Sequence, residues 1–252
     1  MLQKHLRTSA TRALIAVATI AATGLAHANA THSAFSDPAD SVATDGFNNL
    51  TSARLTAADL VAGVASNTET DGNAVLTRTS GGAYPASSGL YQWSGSGSTF
   101  AMSVSNAVDG LTGIVFQSYI NVSTGANGIF GLLSADNLPR LNFNGGEQFL
   151  LASTQTSENL GYTDFFTGQF VASDPNNPNH VTFTWDFASL GVTVPVDSFT
   201  ITFATDNHAQ TTAFQLDQLS VAAPVPEPQT AAMLLGGMAV ISLIARRRKN
   251  LN

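Results

Sequence analysis

The sequence has no cysteine, which excludes disulfide frameworks, thiolate metal sites and thiol nucleophiles. Lysine is absent between residues 31 and 228, where Arg54, Arg78 and Arg140 stand against all 17 carboxylates of the chain, a formal charge of −14. Nucleic acid and anionic lipid bind proteins through Lys and Arg that neutralise phosphates, so a body this acidic repels both. Solubility alone accounts for the same charge in a Ser/Thr-rich chain.

Catalytic patterns are also missing. There is no Gly-x-Ser-x-Gly elbow and no HExxH. His32, His180 and His208 are the body's only histidines, too few for a zinc centre without a third ligand, and they are expected to be ordinary loop residues. Glycoside hydrolysis needs two carboxylates roughly 5 to 10 Å apart across a cleft. Glu69, Glu147, Glu158 and many aspartates are available, but no spacing selects a pair. A noncatalytic body is the leading expectation, and a secreted polysaccharide-active hydrolase or a calcium-dependent carbohydrate-binding module is the alternative.

Both ends of the chain are targeting devices. Lys4, Arg7 and Arg12, an apolar stretch from Ala13 to Ala26, and Ala28-Asn29-Ala30 have the form of a signal peptide cut by signal peptidase before Thr31. At the other end, residues 230–245 carry no charge and are apolar on all sides if helical. A helix of that length rises about 24 Å, short of the roughly 30 Å hydrocarbon core, so spanning relies on bilayer thinning or on snorkelling cations. Arg246, Arg247, Arg248 and Lys249 follow directly and place the C-terminus on the cytoplasmic side. A buried core helix would leave that cationic block unexplained.

Pro226-Glu227-Pro228, the short apolar span and the Arg-rich end resemble the PEP-CTERM sorting signal of bacterial exported proteins. The resemblance covers about the last tenth of the chain. It implies a precursor held in the inner membrane of a Gram-negative, exopolysaccharide-producing bacterium until an exosortase cuts near the Pro-Glu-Pro motif. These three residues are then a recognition site for another enzyme.

Between the targeting ends, residues 31–224 suit one large β domain that buries about 70% of its unfolded surface. Apolar spacing is dominated by period two. Val181, Phe183, Trp185 and Phe187 point one way, with Thr182, Thr184 and Asp186 opposite. Phe199, Ile201 and Phe203 repeat the pattern, as do Phe100, Met102 and Val104. Ile114, Phe116, Ile120 and Val122 form a fourth face interrupted by Ser118. Weaker runs lie at 74–79, 89–94, 128–135, 147–154 and 162–172.

Asp45-Gly46, Asp71-Gly72, Asp109-Gly110, Asn127-Gly128 and Asn144-Gly145-Gly146 are expected turns, and 174–179 a longer loop. One helix is expected over 56–65, capped by Thr56, with Leu60, Val61 and Val64 on one face. The apolar parity changes between Leu216 and Leu219, which suggests a bulge at Asp217-Gln218. About ten strands without a repeated βα unit indicate an all-β fold, a single antiparallel jelly-roll-like sandwich.

Two ligand chemistries fit this body. Calcium takes hard oxygen ligands from loops, and Asp37, Asp40, Asp206 and Asp217 border the first and last strands. Apart from calcium, no cofactor is expected. Tyr91 and Trp93 lie two apart on one strand face, a spacing suited either to stacking on sugars, exopolysaccharide included, or to core packing; burial is the expectation for Trp93 and more so for Trp185. N-terminal sequencing of the exported protein should begin at Thr31, and a start upstream of it would overturn the assignment of residues 1–30.

Overall fold

The computed structural model describes residues 34–93, 97–122, 138–158, 160–163, 168–171, 179–206 and 209–220. The signal peptide at 1–30 with Ala28 and Ala30, the sorting tail at 225–252, the run at 128–135, Asn127-Gly128, most of the 174–179 loop and His208 lie outside these residues.

The first part of the described chain runs β1 (Ser41–Phe47), α1 (Ala57–Ala62), β2 (Val64–Ala65), β3 (Thr68–Thr70), β4 (Val75–Ser80), β5 (Tyr84–Ala86), β6 (Gly89–Tyr91), β7 (Ser98–Val104) and β8 (Leu111–Val122). It continues with β9 (Arg140–Phe143), β10 (Leu150–Leu151), β11 (Thr154–Glu158), β12 (Tyr162–Thr163), β13 (Phe170–Val171), β14 (His180–Asp186), β15 (Phe199–Thr205) and β16 (Ala209–Ser220). All pairings are antiparallel. One sheet has the order β11-β14-β8-β16-β1-β3, with the β5-β6 hairpin joined to β16; the second has the order β10-β9-β15-β7-β4-β2. β12 and β13 pair with each other.

The two large sheets pack face to face through the apolar residues that alternate along their strands. Phe116 of β8 meets Phe203 of β15 at 5.0 Å between ring centroids, and Phe203 meets Phe214 of β16 at 5.1 Å. Trp185, Phe183, Phe100, Met102 and Ile201 complete one continuous core. Among the described side chains, the four strong period-two faces therefore lie where alternation puts them, because only a side chain on every second residue can leave water. Trp185 is fully buried and donates its indole N–H to the Leu150 carbonyl at 3.0 Å, which satisfies its one polar atom.

Three local expectations are corrected. The helix ends at Ala62, because Gly63 adopts φ +102 and its N–H returns to the Asp59 carbonyl. Val64 consequently leaves the helix and is buried in β2, while Val61 is exposed. Thr56 does cap, in a reciprocal capping box with Asp59.

Asp45-Gly46 is not a turn. Both residues lie inside β1, where Asp45 is fully buried and accepts hydrogen bonds from Ser66 Oγ at 2.8 Å and Ala74 N at 3.1 Å. A Cβ at Gly72 would collide with that carboxylate, so here glycine serves close approach.

The bulge is absent from Asp217-Gln218. The register of β16 against β8 is unbroken from Ala213 to Leu219 and shifts instead between Thr211 and Ala213 and between Leu219 and Ser220. The parity change arises because β16 is buried on both faces. Phe214, Leu216 and Gln218 face the core, while Gln215, Asp217 and Leu219 face the opposite side, under other parts of the chain.

Ser118 sits on the core face between Phe116 and Ile120, fully buried, and its hydroxyl has no hydrogen-bond partner among the described residues. An unsatisfied buried hydroxyl costs about 1–3 kcal/mol. Replacing Ser118 by Ala should therefore raise the melting temperature, whereas Phe116→Ala should destabilise by about 3–5 kcal/mol through the cavity it leaves. Thermal denaturation of the two variants checks the pair.

Candidate functional site

The chain before β1 forms a strap over the outer face of the eight-stranded sheet. Gln117 of β8 accepts from Ser36 N at 3.2 Å and donates to Ser36 O at 2.8 Å, imitating a strand pairing with its side chain. Phe35 packs on the ring of His180 at 5.5 Å. Gln215 Nε2 donates to Asp37 Oδ1 at 2.7 Å and to Asp217 Oδ2 at 3.1 Å. Under this strap Asp217 is fully buried and also accepts from Ser41 Oγ at 3.1 Å and Thr44 Oγ1 at 2.8 Å.

Of the four aspartates expected to hold calcium, the structure brings Asp37 and Asp217 together, and an amide N–H of Gln215 fills the space between them. Both Asp217 oxygens are occupied by hydroxyl and amide donors, whose hydrogens point where a cation would need lone pairs. Asp40 is exposed and holds Ser220 N through its backbone carbonyl. Asp206 lies at the opposite end of β16 from Asp217, roughly 25 Å away at ~3.3 Å per residue. Among the described residues, no group of three or more His, Asp and Glu side chains is placed to hold a metal ion.

His180 opens β14 as expected but is buried, with Nδ1 3.8 Å from Glu158 Oε1. Its surroundings make it part of the strap's seating, and loop character is not what it has.

A groove of about 640 Å³ crosses β4, β7, β15 and β9 on the six-stranded sheet. Its polar lining is Asn73, Ser103, Ser105, Asn142, Ser198 and Thr200, and the lining contains no titratable side chain. Such a groove offers hydrogen bonds but no general acid or base.

The aromatic pair from the sequence is found outside the core. Trp93 is 69% exposed, against the expectation that it packs inside, while Gln92 beside it is buried. The reason is where the rung falls. β6 ends at Tyr91, and Gln92 turns inward to accept from Ser98 Oγ, which itself accepts from Ala83 N at 2.8 Å.

This buried clamp leaves Tyr91 and Trp93 outward with ring centroids 6.4 Å apart. Tyr84, which follows Ala83 and pairs with Tyr91 across the β5-β6 hairpin, adds a third ring 6.2 Å from Tyr91 and is 40% exposed. Sequence reasoning missed Tyr84; the hairpin turn between Ala86 and Gly89 was its only signal. Partial burial, and then the neighbouring Tyr84 phenol, raise the Tyr91 hydroxyl above its ordinary pKa.

β16 ends at Ser220, and five residues separate it from Pro226. An antiparallel β body followed so closely by a sorting signal defines an exported protein whose precursor is membrane-anchored and processed after export. The signal is that of the PEP-CTERM proteins: residues 224–249 match the PEP-CTERM protein-sorting motif, with exosortase as the processing partner that it implies. Pro226, Glu227, Pro228, Arg246, Arg247, Arg248 and Lys249 all fall within the matched span. No curated protein matches the chain.

Burial pushes the Asp217 carboxyl up to about 6; hydrogen bonds from Gln215, Thr44 and Ser41 offset this in part, and the charge of Asp37 adds to it. Burial raises Asp45 as well. A carboxyl that holds its proton more tightly when folded contributes stability that is complete below its unfolded value, near 3.8, and is lost as pH rises through about 6.

Lowering the pH from 7.5 to 4.5 should therefore raise the melting temperature, with Asp217 contributing at most about 3 kcal/mol. The Asp217→Asn variant should lose most of that slope. Thermal melts across this range decide it, and a wild-type melting temperature that falls steadily on acidification would contradict the assignment.

Proposed function

We propose that this protein is a noncatalytic surface or extracellular-matrix component, a jelly-roll-like sandwich delivered outside and associated with exopolysaccharide or biofilm. The observation that carries the reading is the sorting motif at residues 224–249, separated by three residues from the end of β16. In this reading, signal peptidase cuts after Ala30, residues 230–245 hold the precursor transiently in the inner membrane, and exosortase acts at Pro226-Glu227-Pro228. Tyr91 and Trp93 are its sugar-stacking residues.

The noncatalytic part is supported by the state of the carboxylates. Asp45 and Asp217 are sealed from substrate and bonded to neutral donors. The groove lining carries no acid or base. The competing reading, a polysaccharide-active hydrolase, lacks a described pair of carboxylates facing a common cleft.

Replacing Pro226, Glu227 and Pro228 together by Ala should leave an uncut, larger precursor in the membrane fraction, followed by immunoblotting of fractionated cells. Deleting the gene should impair aggregation or matrix formation seen by imaging. A polymer of altered length with intact matrix would favour the hydrolase instead.

A further inference from the structure

We infer that Tyr84, Tyr91 and Trp93 form one binding strip for a single, soluble, uncharged polysaccharide chain, set at the end of β16 opposite Ser220. The inference rests on the matrix reading above and gives that reading its ligand class.

Three observations select this occupant. The first is ring geometry. Tyr84 and Tyr91 are 6.2 Å apart at 89°, and Tyr91 and Trp93 are 6.4 Å apart at 54°. Aromatic faces stack on the C–H faces of pyranoses, and their polar tips can bond ring hydroxyls. Coplanar rings would match a flat crystalline surface. Rings that turn relative to each other instead meet successive sugars of one chain that itself twists.

The second observation is charge. The body carries −14 and no lysine between residues 31 and 228. Of its three cations, Arg54 is bonded to Asn49 and Asn67, and Arg78 donates to the Ala83 carbonyl behind the strip. A uronate or sulfated polymer would approach a body whose net charge repels it, whereas a neutral polymer meets no such barrier.

The third is position. Tyr91 pairs with Gln210 at the start of β16, and Ser220 ends the same strand, ahead of the sorting motif in sequence. Ten residues at ~3.3 Å place the strip roughly 30 Å from Ser220, so the strip and the described residue nearest the sorting motif in sequence lie at opposite ends of one strand.

Rigidity comes from beneath. Ala83 N–H, Ser98 Oγ and Gln92 Oε1 form a buried chain of hydrogen bonds that fixes the residues adjoining Tyr84, Tyr91 and Trp93. Preorganised rings lose little side-chain entropy on binding. Trp93 is mostly solvent-exposed, so its removal tests binding without emptying the core.

The experiment is native affinity electrophoresis of the exported, processed protein in gels containing soluble neutral glucans, mannans or xyloglucan, with alginate and polygalacturonate as anionic probes. Pelleting with crystalline cellulose forms a separate arm. Retardation by at least one neutral polymer, none by the anionic ones and no pelleting is expected. Trp93→Ala and Tyr84→Ala should each weaken retardation about tenfold with unchanged melting temperature, and Tyr84→Phe should retain most of it.

Unchanged retardation in both alanine variants, retardation by the anionic polymers alone, co-pelleting with cellulose, or no neutral polymer bound would each overturn the strip. A matrix defect in the deletion strain with no glycan bound would leave the matrix reading standing without the strip. Glycan binding with a normal matrix would do the reverse.

Discussion

A strand buried on both faces takes its polar groups out of water, and β16 carries Gln210, Gln215, Asp217 and Gln218 in that condition. On the core side, Gln218 Oε1 accepts from Val108 N at 3.0 Å. On the outer side, Gln215 and Asp217 are satisfied by β1, by β8 and by the strap that precedes β1. Asp217 could not be buried without Ser41 and Thr44, and Gln215 could not bridge two carboxylates without Asp37. The first and last strands are therefore locked by polar chemistry as well as by their ladder, whose register runs from Ser41 opposite Leu219 to Phe47 opposite Phe214. In a cysteine-free exported protein, this arrangement ties β1 to β16 without a disulfide.

The same strand connects stability to delivery. β16 runs from the aromatic hairpin at Gln210 to Ser220, the last described residue before the sorting motif in sequence. Its end at Ser220 is fastened by Oγ to the Asp109 and Gly110 carbonyls and by N–H to Asp40. The described fold thus ends at a fixed point, three residues short of the matched sorting motif in sequence. The two buried carboxyls add a consequence for environment: their folded state favours protons, so mild acidity strengthens the body where many proteins weaken.

Much of the fold was legible because alternation is a local property. Phe100, Met102 and Val104, or Val181 through Phe187, can be oriented from their own spacing, and each ended in the core. What failed were positions where a distant segment changes the meaning of a residue. Asp45-Gly46 has turn chemistry, yet Ser66, Gly72 and Ala74 converge on it and make it strand. Leu219 breaks the parity of β16 only if one face is assumed wet, and nothing in 209–220 announces that both are covered. Trp93 has the composition of core, but Gln92 takes the inward position because Ser98 waits there.

The sequence by itself determined the destination and the class: a sorting signal at residues 224–249, an acidic cysteine-free body, and an all-β pattern, since each rests on composition or on spacing within a few residues. Tertiary structure alone decided which aspartates meet, that Tyr84 joins Tyr91 and Trp93, and that these rings lie at the opposite end of β16 from Ser220. Those relations link residues separated by hairpins and whole sheets, and only strand pairing brings them to defined distances.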